Sequence, residues 1–430
     1  MNDTSPMGRG ALRVLLDVSP LTLQARQRTG LARVAWDLAS ELAAMPEVDL
    51  RVCGWGSLQS TEEVSLLMRE TPWLRPAAVR ESRLVSLFWR LAATGGRPRR
   101  IEGAWRVRLA QAVNLLRDRV PGAHGEDFDI VHSSYAGVPR GVRRWRRPTV
   151  ITVHDLTPLR LASSLMPPGQ VAITRRILRT IRRDDWVACV SEHTRRDFLA
   201  SHAHPSERTV VIPNGVDHAR FRPVERMDEL MRVRRTYGIG EAPFVLTLSS
   251  LAPHKNLRML VELWPEIRRR WPAHQLVLAG GRGADASALM RGLSLVGPPP
   301  AGLVLTGFIP DTDLPALFSA AELFVFPSLY EGFGLPVLEA MACGSPVVAA
   351  RSSSIPEVVG SGGELIEPED QGAWIEAIES RFRAGNRTCP DPRAVAAAAG
   401  FSWKKTAGAY LDLYEQAHKA VTSANVGRGA

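Results

Sequence analysis

The sequence predicts an α/β protein built as two Rossmann-like domains, and three observations carry that expectation. Short apolar runs of strand length recur with helical patterns between several of them, which favours parallel sheets over a sandwich. The alternation occurs twice, on either side of a charged stretch from Val224 to Arg235. The chain's 430 residues also exceed the size at which a single core stops growing, so two domains of roughly 200 residues each are expected.

The first strand is expected in LRVLLDV, Leu12 to Val18. A polar turn with Gly30 leads into a helix from Leu31 to Met45, where Leu31, Val34, Ala35, Leu38, Ala39 and Leu42 recur at helical spacing. Strand, glycine loop and helix form the opening of a dinucleotide-type unit. Further strands are expected in LRVCGW, DIVHSS, TVITVH, DWVACV and TVVIP. Between Arg80 and Val120 two amphipathic segments, SRLVSLFWRLAATGG and IEGAWRVRLAQAVNLLRDRV, are rich in arginine and tryptophan. They suit either ordinary packing helices or a surface that meets bilayer headgroups or a lipid-linked molecule. The second alternation begins near Glu241 with FVLTLSS, HQLVLAG, LVLTGF and LFVFPS. From Phe401 to Val421 the pattern is one helix with Ser402 as its N-cap. The expected divisions are 1–222 for the first domain, 223–400 for the second and 401–430 for the C-terminal helix and tail.

Hydrophobic residues at 45% and charged residues at 23% are globular values, which argue against disorder and against an integral membrane protein. No run approaches the roughly 18 apolar residues of a membrane span, and Arg9, Arg13 and Asp17 flank too short an apolar run for a signal peptide. Cys53, Cys189, Cys343 and Cys389 lack the close pairing of a zinc or redox motif and read as reduced thiols of a cytoplasmic protein. The net charge of +10 is concentrated in clusters such as Arg143, Arg144, Arg146 and Arg147 around Trp145. Either these are solvated faces or something anionic lies nearby: a phosphorylated small molecule, an anionic membrane surface or nucleic acid. Nucleic acid is set aside because no binding module is recognisable. A nicotinamide oxidoreductase is disfavoured because SPLTLQARQRTGLARV lacks the spaced glycine fingerprint after the first strand. Nothing in the chain marks an oligomeric state.

The densest chemical signal is PSLYEGFGLPVLEAMACGSPVV, Pro327 to Val348. An apolar strand ends at Pro327, a loop holds Glu331, Gly332, Phe333 and Gly334, and a helix begins around Leu335 with Pro336 in its tolerant first turn. Open parallel sheets bind ligands at this carboxyl edge, where free N–H groups and the helix dipole favour an anion by roughly 0.3 to 1 kcal/mol. The glycines let a phosphate approach the backbone. Glu331 and Glu339 supply two acceptors for hydroxyl groups of one ligand. Each glutamate alone has an ordinary explanation, as a solvated loop acid or a helix-dipole partner; together with the glycines they point to a site.

These residues resemble glycosyltransferase family 4, which has a GT-B fold and is marked by two glutamates separated by seven residues, matched by Glu331 and Glu339. The resemblance extends through SSLAPHKNLRMLVELW, TGFIPDTDLPALFSAAELFVFPS and SSSIPEVVG, and more weakly through TGLARVAWDLA, VHDLTPLR, VSEHTRRDF and IPNGVD. It looks nearest to bacterial mannosyltransferases and rhamnosyltransferases of surface polysaccharide synthesis. What the resemblance implies is retaining transfer of a hexose, with mannose from GDP-mannose as the leading expectation. The donor is a nucleotide diphosphate sugar and the acceptor a saccharide or lipid-linked molecule, held in a cleft between the domains. It also implies a C-terminal helix that crosses back to the first domain. No cofactor or metal is expected, since the leaving diphosphate itself receives the acceptor proton and no aspartate-rich metal motif is evident. The expected location is cytoplasmic, with possible peripheral attachment to the inner face of the membrane.

The resemblance also assigns roles. Lys255 in LAPHKN neutralises the donor diphosphate, an interaction worth ~4 kcal/mol at about 4 Å and an effective dielectric near 20. Of Glu331 and Glu339, one meets the sugar and the other the ribose of the same donor. His154, just past a strand end in TVITVHDLTPLR, lies beside the transferred sugar, while Asp155 caps the following turn. Gly30 approaches the donor phosphates, and Gly307 and Phe308 in TGFIPDTDL line the nucleobase. Gly332, Phe333, Gly334 and Leu335 complete the donor loop. IPNGVD, with Asn214 and Gly215, is read as a tight turn closing the first domain. The sequence departs from the family where many members carry arginine, with Ser249 six residues before the lysine and His254 immediately before it. The second diphosphate cation must then come from a protonated His254 or an arginine elsewhere; otherwise the chain binds nucleotide sugar without transferring it, as a partner of another transferase.

Overall fold

The computed structural model describes residues 10–21, 30–54, 71, 125–135, 137–161, 169–280, 290–293, 297–385 and 390–426. The arginine- and tryptophan-rich segments between 80 and 120, and Cys389, lie outside the described residues. Cys53, Cys189 and Cys343 are buried and unbridged.

The described residues form two six-stranded sheets in which every pairing is parallel. The first comprises β1 (Leu12–Asp17), β2 (Val48–Cys53), β3 (Ile130–Ser133), β4 (Thr149–Val153), β5 (Trp186–Cys189) and β6 (Thr209–Val211), in the order β2-β1-β3-β4-β5-β6. The second comprises β7 (Phe244–Leu248), β8 (Gln275–Ala279), β9 (Leu303–Gly307), β10 (Leu323–Phe326), β11 (Val347–Ala350) and β12 (Glu364–Ile366), in the order β12-β11-β10-β7-β8-β9. Every residue of β3, β4, β10 and β11 is buried. Helices cover both faces of such sheets, so these strands read as continuous apolar runs without alternation. The Rossmann-like pair expected from the alternation is therefore present. β11 and β12 were not expected: VVAA of β11 follows directly on the glutamate motif, and β12 begins on an exposed glutamate.

In each sheet the strand order reverses once, between β1 and β3 and between β7 and β10. Loops leaving the two strands at such a reversal part to opposite faces and open a crevice.

Helix α1 (Gly30–Ala44) buries Val34, Ala35, Leu38, Ala39 and Leu42 on the first sheet, the face its periodicity marked. Helix α2 (Glu192–Ser201) follows β5. The charged stretch at the start of the second domain, for which the sequence indicates no element, is mostly helix α3 (Met227–Thr236). It packs on α5 (Leu314–Ala320), beyond α4 (Leu257–Arg270), with Arg232 Nη2 2.7 Å from Asp313 and Tyr237 Oη donating to Asp313 at 2.6 Å. Helix α6 (Leu335–Ala342) follows β10 and carries Glu339.

The C-terminal helix α7 (Trp403–Val426) returns to the first domain. Trp403, Ala407, Tyr410, Tyr414 and Ala417, spaced by three and four residues, join the core beneath α1. Ser402 Oγ accepts from Lys405 N at 3.2 Å, the cap the sequence indicated. Two phenols anchor the contact: Tyr410 Oη is 2.7 Å from Thr152 Oγ1, and Tyr414 Oη is 2.6 Å from His132 Nδ1. His132 is fully buried, and burial first, then His154, pushes its pKa down to about 3. Gly215 corrects the reading of IPNGVD. A Cβ there would lie 2.1 Å from Trp403 N, so the glycine serves the close crossing of the returning chain as well as the turn. Among the described residues no helix is long and apolar enough to cross a membrane.

Candidate active site

The second sheet's reversal point gathers the strongest sequence signals. Lys255 follows β7 and Glu331 follows β10, the two strands paired at the reversal. Their side chains meet, with Lys255 Nζ 2.6 Å from Glu331 Oε1 and both largely buried. Main-chain bonds tie the two loops together: Leu329 N donates to the His254 carbonyl at 2.8 Å, and Ser328 Oγ lies 3.2 Å from the same oxygen.

The loop carrying Glu331 is pinned by three serines to which the sequence alone assigns no role. Ser353 Oγ accepts from Glu331 N at 2.8 Å, and Ser354 Oγ lies 3.0 Å from the Glu331 carbonyl and 3.1 Å from that of Phe333. Ser352 Oγ donates to the Ser328 carbonyl at 2.6 Å. Their signal was the consecutive serines of SSSIPEVVG, whose hydroxyls suit free main-chain groups.

The first domain meets this loop directly. A Cβ on Gly332 would fall 1.8 Å from the His154 carbonyl oxygen, so only glycine permits the observed approach. Ser191 Oγ, at the N-cap of α2, is 2.8 Å from the Gly332 carbonyl, and Tyr330 Oη donates to Asp197 at 2.5 Å. Glu357 accepts from the main-chain N–H groups of Glu192 and His193, each at 2.8 Å, the favourable end of α2 for a carboxylate.

His154 is half-buried between these elements, and its Nε2 is 2.6 Å from the Ser134 carbonyl. A carbonyl only accepts, so Nε2 carries the proton and Nδ1 is left as the acceptor of the neutral ring. Burial pushes the His154 pKa down against the opposing pull of that hydrogen bond and of Asp155. Asp155 Oδ1 accepts from Thr157 N at 3.0 Å, in the turn-capping position its sequence neighbours indicated. The His254 pKa is also pushed down, by burial first and then by Lys255, which favours the uncharged ring. Ser249 Oγ lies 3.1 Å from the neighbouring Ser250 carbonyl. Ser249 carries no charge, and burial and Lys255 both work against a charge on His254.

Gly30 begins α1, and a Cβ there would sit 3.9 Å from Leu335 of the facing domain. Gly307 ends β9 with φ 67°, and Phe308 beside it is exposed. Phe333 is buried edge-on against Phe401. Gly334, at φ 107°, is the N-cap of α6, a backbone conformation that favours glycine. Leu335 packs against the cores of both domains.

Glu339 lies on α6 with its side chain 5% exposed. It faces a residue that none of the sequence motifs singled out: Arg33 Nη1 of α1 is 2.8 Å from Glu339 Oε1 and 3.9 Å from Asp311 Oδ1. Burial first, with Asp311 and Asp37 acting against Arg33, pushes the Glu339 pKa up to about 7. The only sequence signal for Arg33 was an arginine within the apolar opening of α1, three residues after Gly30.

Residues 28–220 match the family model described as Glycosyltransferase Family 4, and residues 242–383 match that described as Glycosyl transferases group 1. The chain is 30% identical over 317 residues to O-antigen chain mannosyltransferase B of Escherichia coli, a match covering 71% of this chain and 80% of that one. Against the GDP-mannose-dependent alpha-(1-6)-phosphatidylinositol monomannoside mannosyltransferase of Mycolicibacterium smegmatis the identity is 39% over 247 residues, covering 55% and 62%. Among solved structures, Anabaena HepE in complex with UDP and glucose superposes with a TM-score of 0.62 at 19% identity, covering 96% of this chain and 100% of that one. At that identity the likeness is one of fold.

Proposed function

Because the chain belongs to the glycosyltransferases of family 4 and group 1, and has their two-domain GT-B architecture, we propose that it transfers a hexose with retention and without a metal ion. The donor is a nucleotide diphosphate sugar, with GDP-mannose first among candidates, and the acceptor a saccharide or lipid-linked hydroxyl. The single observation that carries this reading is the Lys255–Glu331 contact at the reversal point of the second sheet. The mannosyltransferases among its relatives support the choice of sugar.

In this reading Lys255 stabilises negative charge on the departing diphosphate, and Glu331 receives hydrogen bonds from hydroxyls of the sugar ring. His154 Nδ1 accepts from another sugar hydroxyl on the first-domain side, while Glu339 faces the ribose. The acceptor oxygen forms its bond to the anomeric carbon on the face from which the phosphate oxygen departs, and the acceptor proton passes to that phosphate oxygen. The basic patch of the first domain, with Arg175, Arg176 and Arg179 near exposed Ile173, suits attachment to an anionic membrane surface at the cytoplasmic face.

The test is to incubate the protein with GDP-mannose, UDP-glucose and related donors, following nucleotide release and the anomeric configuration of the product. Retained configuration and insensitivity to a metal chelator are expected; an inverted product or loss of activity on chelation overturns those parts. A second reading, nucleotide-sugar binding without transfer, is favoured by Ser249 and by the burial that pushes the His254 pKa down. Binding with neither transfer nor hydrolysis across all donors would establish it.

A further inference from the structure

Arg33 is a buried cation, its side chain 9% exposed, on a helix otherwise turned toward apolar neighbours. It crosses from the first domain into the second, where its Nη1 is bracketed by Glu339 Oε1 at 2.8 Å and Asp311 Oδ1 at 3.9 Å. The contact with Glu339 is an ion pair at hydrogen-bonding distance. Among the described residues, Glu339 Oε2 and Asp311 Oδ2 are buried acceptors without hydrogen-bond partners, as is the donor Arg33 Nε. Arg220 Nη1 approaches Asp311 Oδ2 only to 3.9 Å. Buried polar atoms are normally hydrogen-bonded, so two orphaned carboxylate oxygens beside one guanidinium call for a ligand rich in hydroxyl donors. Glu339 is on α6 and Asp311 in the loop between β9 and α5, on the second domain; the cation between them comes from the first.

We propose that Arg33 is a positioning residue for the donor. It aligns Glu339 and Asp311 so that Glu339 Oε2 and Asp311 Oδ2 receive the two hydroxyls of the donor ribose, and the ribose subsite is complete only when the domains meet. This rests on the reading that Glu339 faces the ribose, and it adds Asp311 and a residue of the opposite domain to that subsite. A ribose diol offers two O–H donors on adjacent carbons, which suits two acceptors held by a common cation. The charged groups around Glu339 are Arg33 and Asp37 of α1 and Asp311 of the facing loop. Removing Arg33 deletes the attractive charge and leaves the repulsive ones, so the carboxyl holds its proton to higher pH and loses its acceptor character.

The experiment is calorimetric titration of GDP, UDP and the matching monophosphates between about pH 6 and about pH 9, using the tighter diphosphate and its monophosphate for the variants. The proteins are wild type, Arg33→Met, Arg33→Lys, Asp311→Asn, Glu339→Gln and the Arg33→Met/Glu339→Gln pair, each checked by thermal melting. Arg33→Met is expected to weaken binding by about tenfold near neutral pH, with recovery toward the alkaline end, because about one unit of pKa displacement is a tenfold effect. Arg33→Lys should restore part of the loss, and Asp311→Asn should weaken binding. In the Glu339→Gln background the Arg33 substitution should add less than about twofold, the signature of two residues acting as one. An Arg33→Met loss that is equal at both ends of the pH range and undiminished in the Glu339→Gln background overturns the proposal. So does a loss seen with the diphosphate and absent with the monophosphate, which would place Arg33 on the phosphates. If Glu339→Gln alone leaves affinity unchanged, the assignment of Glu339 to the ribose fails, and the proposal with it.

Discussion

Lys255 and Glu331 are 76 residues apart in sequence and 2.6 Å apart in space, joined because their loops leave neighbouring strands at the one place where the second sheet reverses order. The contact brings the cation for a departing phosphate to the carboxylate for a sugar hydroxyl. Substituting Lys255 by Met should lower kcat by about 100- to 1,000-fold, the usual cost of deleting one charge-stabilising group. Glu331→Ala should likewise suppress turnover. Steady-state kinetics with a competent donor check both, and wild-type rates in either variant would remove that residue from the site.

Gly332 sets how closely the domains approach. A methyl group there would meet the His154 carbonyl at 1.8 Å, so Gly332→Ala must displace one domain from the other. Transfer is expected to fall by about 100-fold, since misplacement near 1 Å has that effect. Small-angle scattering should show a larger radius of gyration while the melting temperature changes little. Full activity with an unchanged radius would show that the observed approach is not required.

Glu339 makes donor binding depend on pH. Its folded pKa of about 7 lies above the ordinary value of 4.5, so the native state favours the protonated form. The stability contribution is fully present below the unfolded value and is lost as pH rises through the folded one. Ribose hydroxyls donate best to the carboxylate, so GDP should stabilise wild type increasingly as pH rises across this window. Thermal shifts with and without GDP measure the effect. Glu339→Gln isolates it, because the diphosphate's own titration is common to both proteins. Identical pH profiles in the two would contradict the assignment.

Tyr414 tests the return of the C-terminal helix. Tyr414→Phe removes the hydroxyl 2.6 Å from His132 Nδ1 and leaves a buried ring nitrogen without its partner. A loss of about 1 to 3 kcal/mol is expected for such an orphaned group, read from the denaturant midpoint. An unchanged midpoint would mean that the phenol contributes only its ring.

Most of the fold was legible because parallel strands buried on both faces leave continuous apolar runs, as in TVITV and LFVF. The strands that escaped were β11, whose VVAA runs on directly from the glutamate motif, and β12, whose three residues begin with an exposed glutamate. In the site, Glu331 and Glu339 were legible as residue types around a glycine loop, and Lys255 through the family resemblance of LAPHKN. Ser353 and Ser354 were not, since a serine that pins a loop resembles any other serine until its main-chain partner is located. Arg33 was hidden for a related reason. Its partners lie 278 and 306 positions away, and an arginine within an amphipathic helix ordinarily faces solvent.

The sequence by itself determined the α/β class, the two-domain plan, the C-terminal helix as an element and the residue types at the donor loop, because each rests on local periodicity or on groups close together in the chain. That the helix returns to the first domain was implied by the family resemblance alone. The tertiary structure decided which groups meet: Lys255 with Glu331, the backbone of Gly332 with that of His154, and Arg33 with Glu339. Those encounters depend on strand order and on the approach of two separately folded sheets. Charge, burial and hydrogen bonding act through distances that neighbouring residues do not encode.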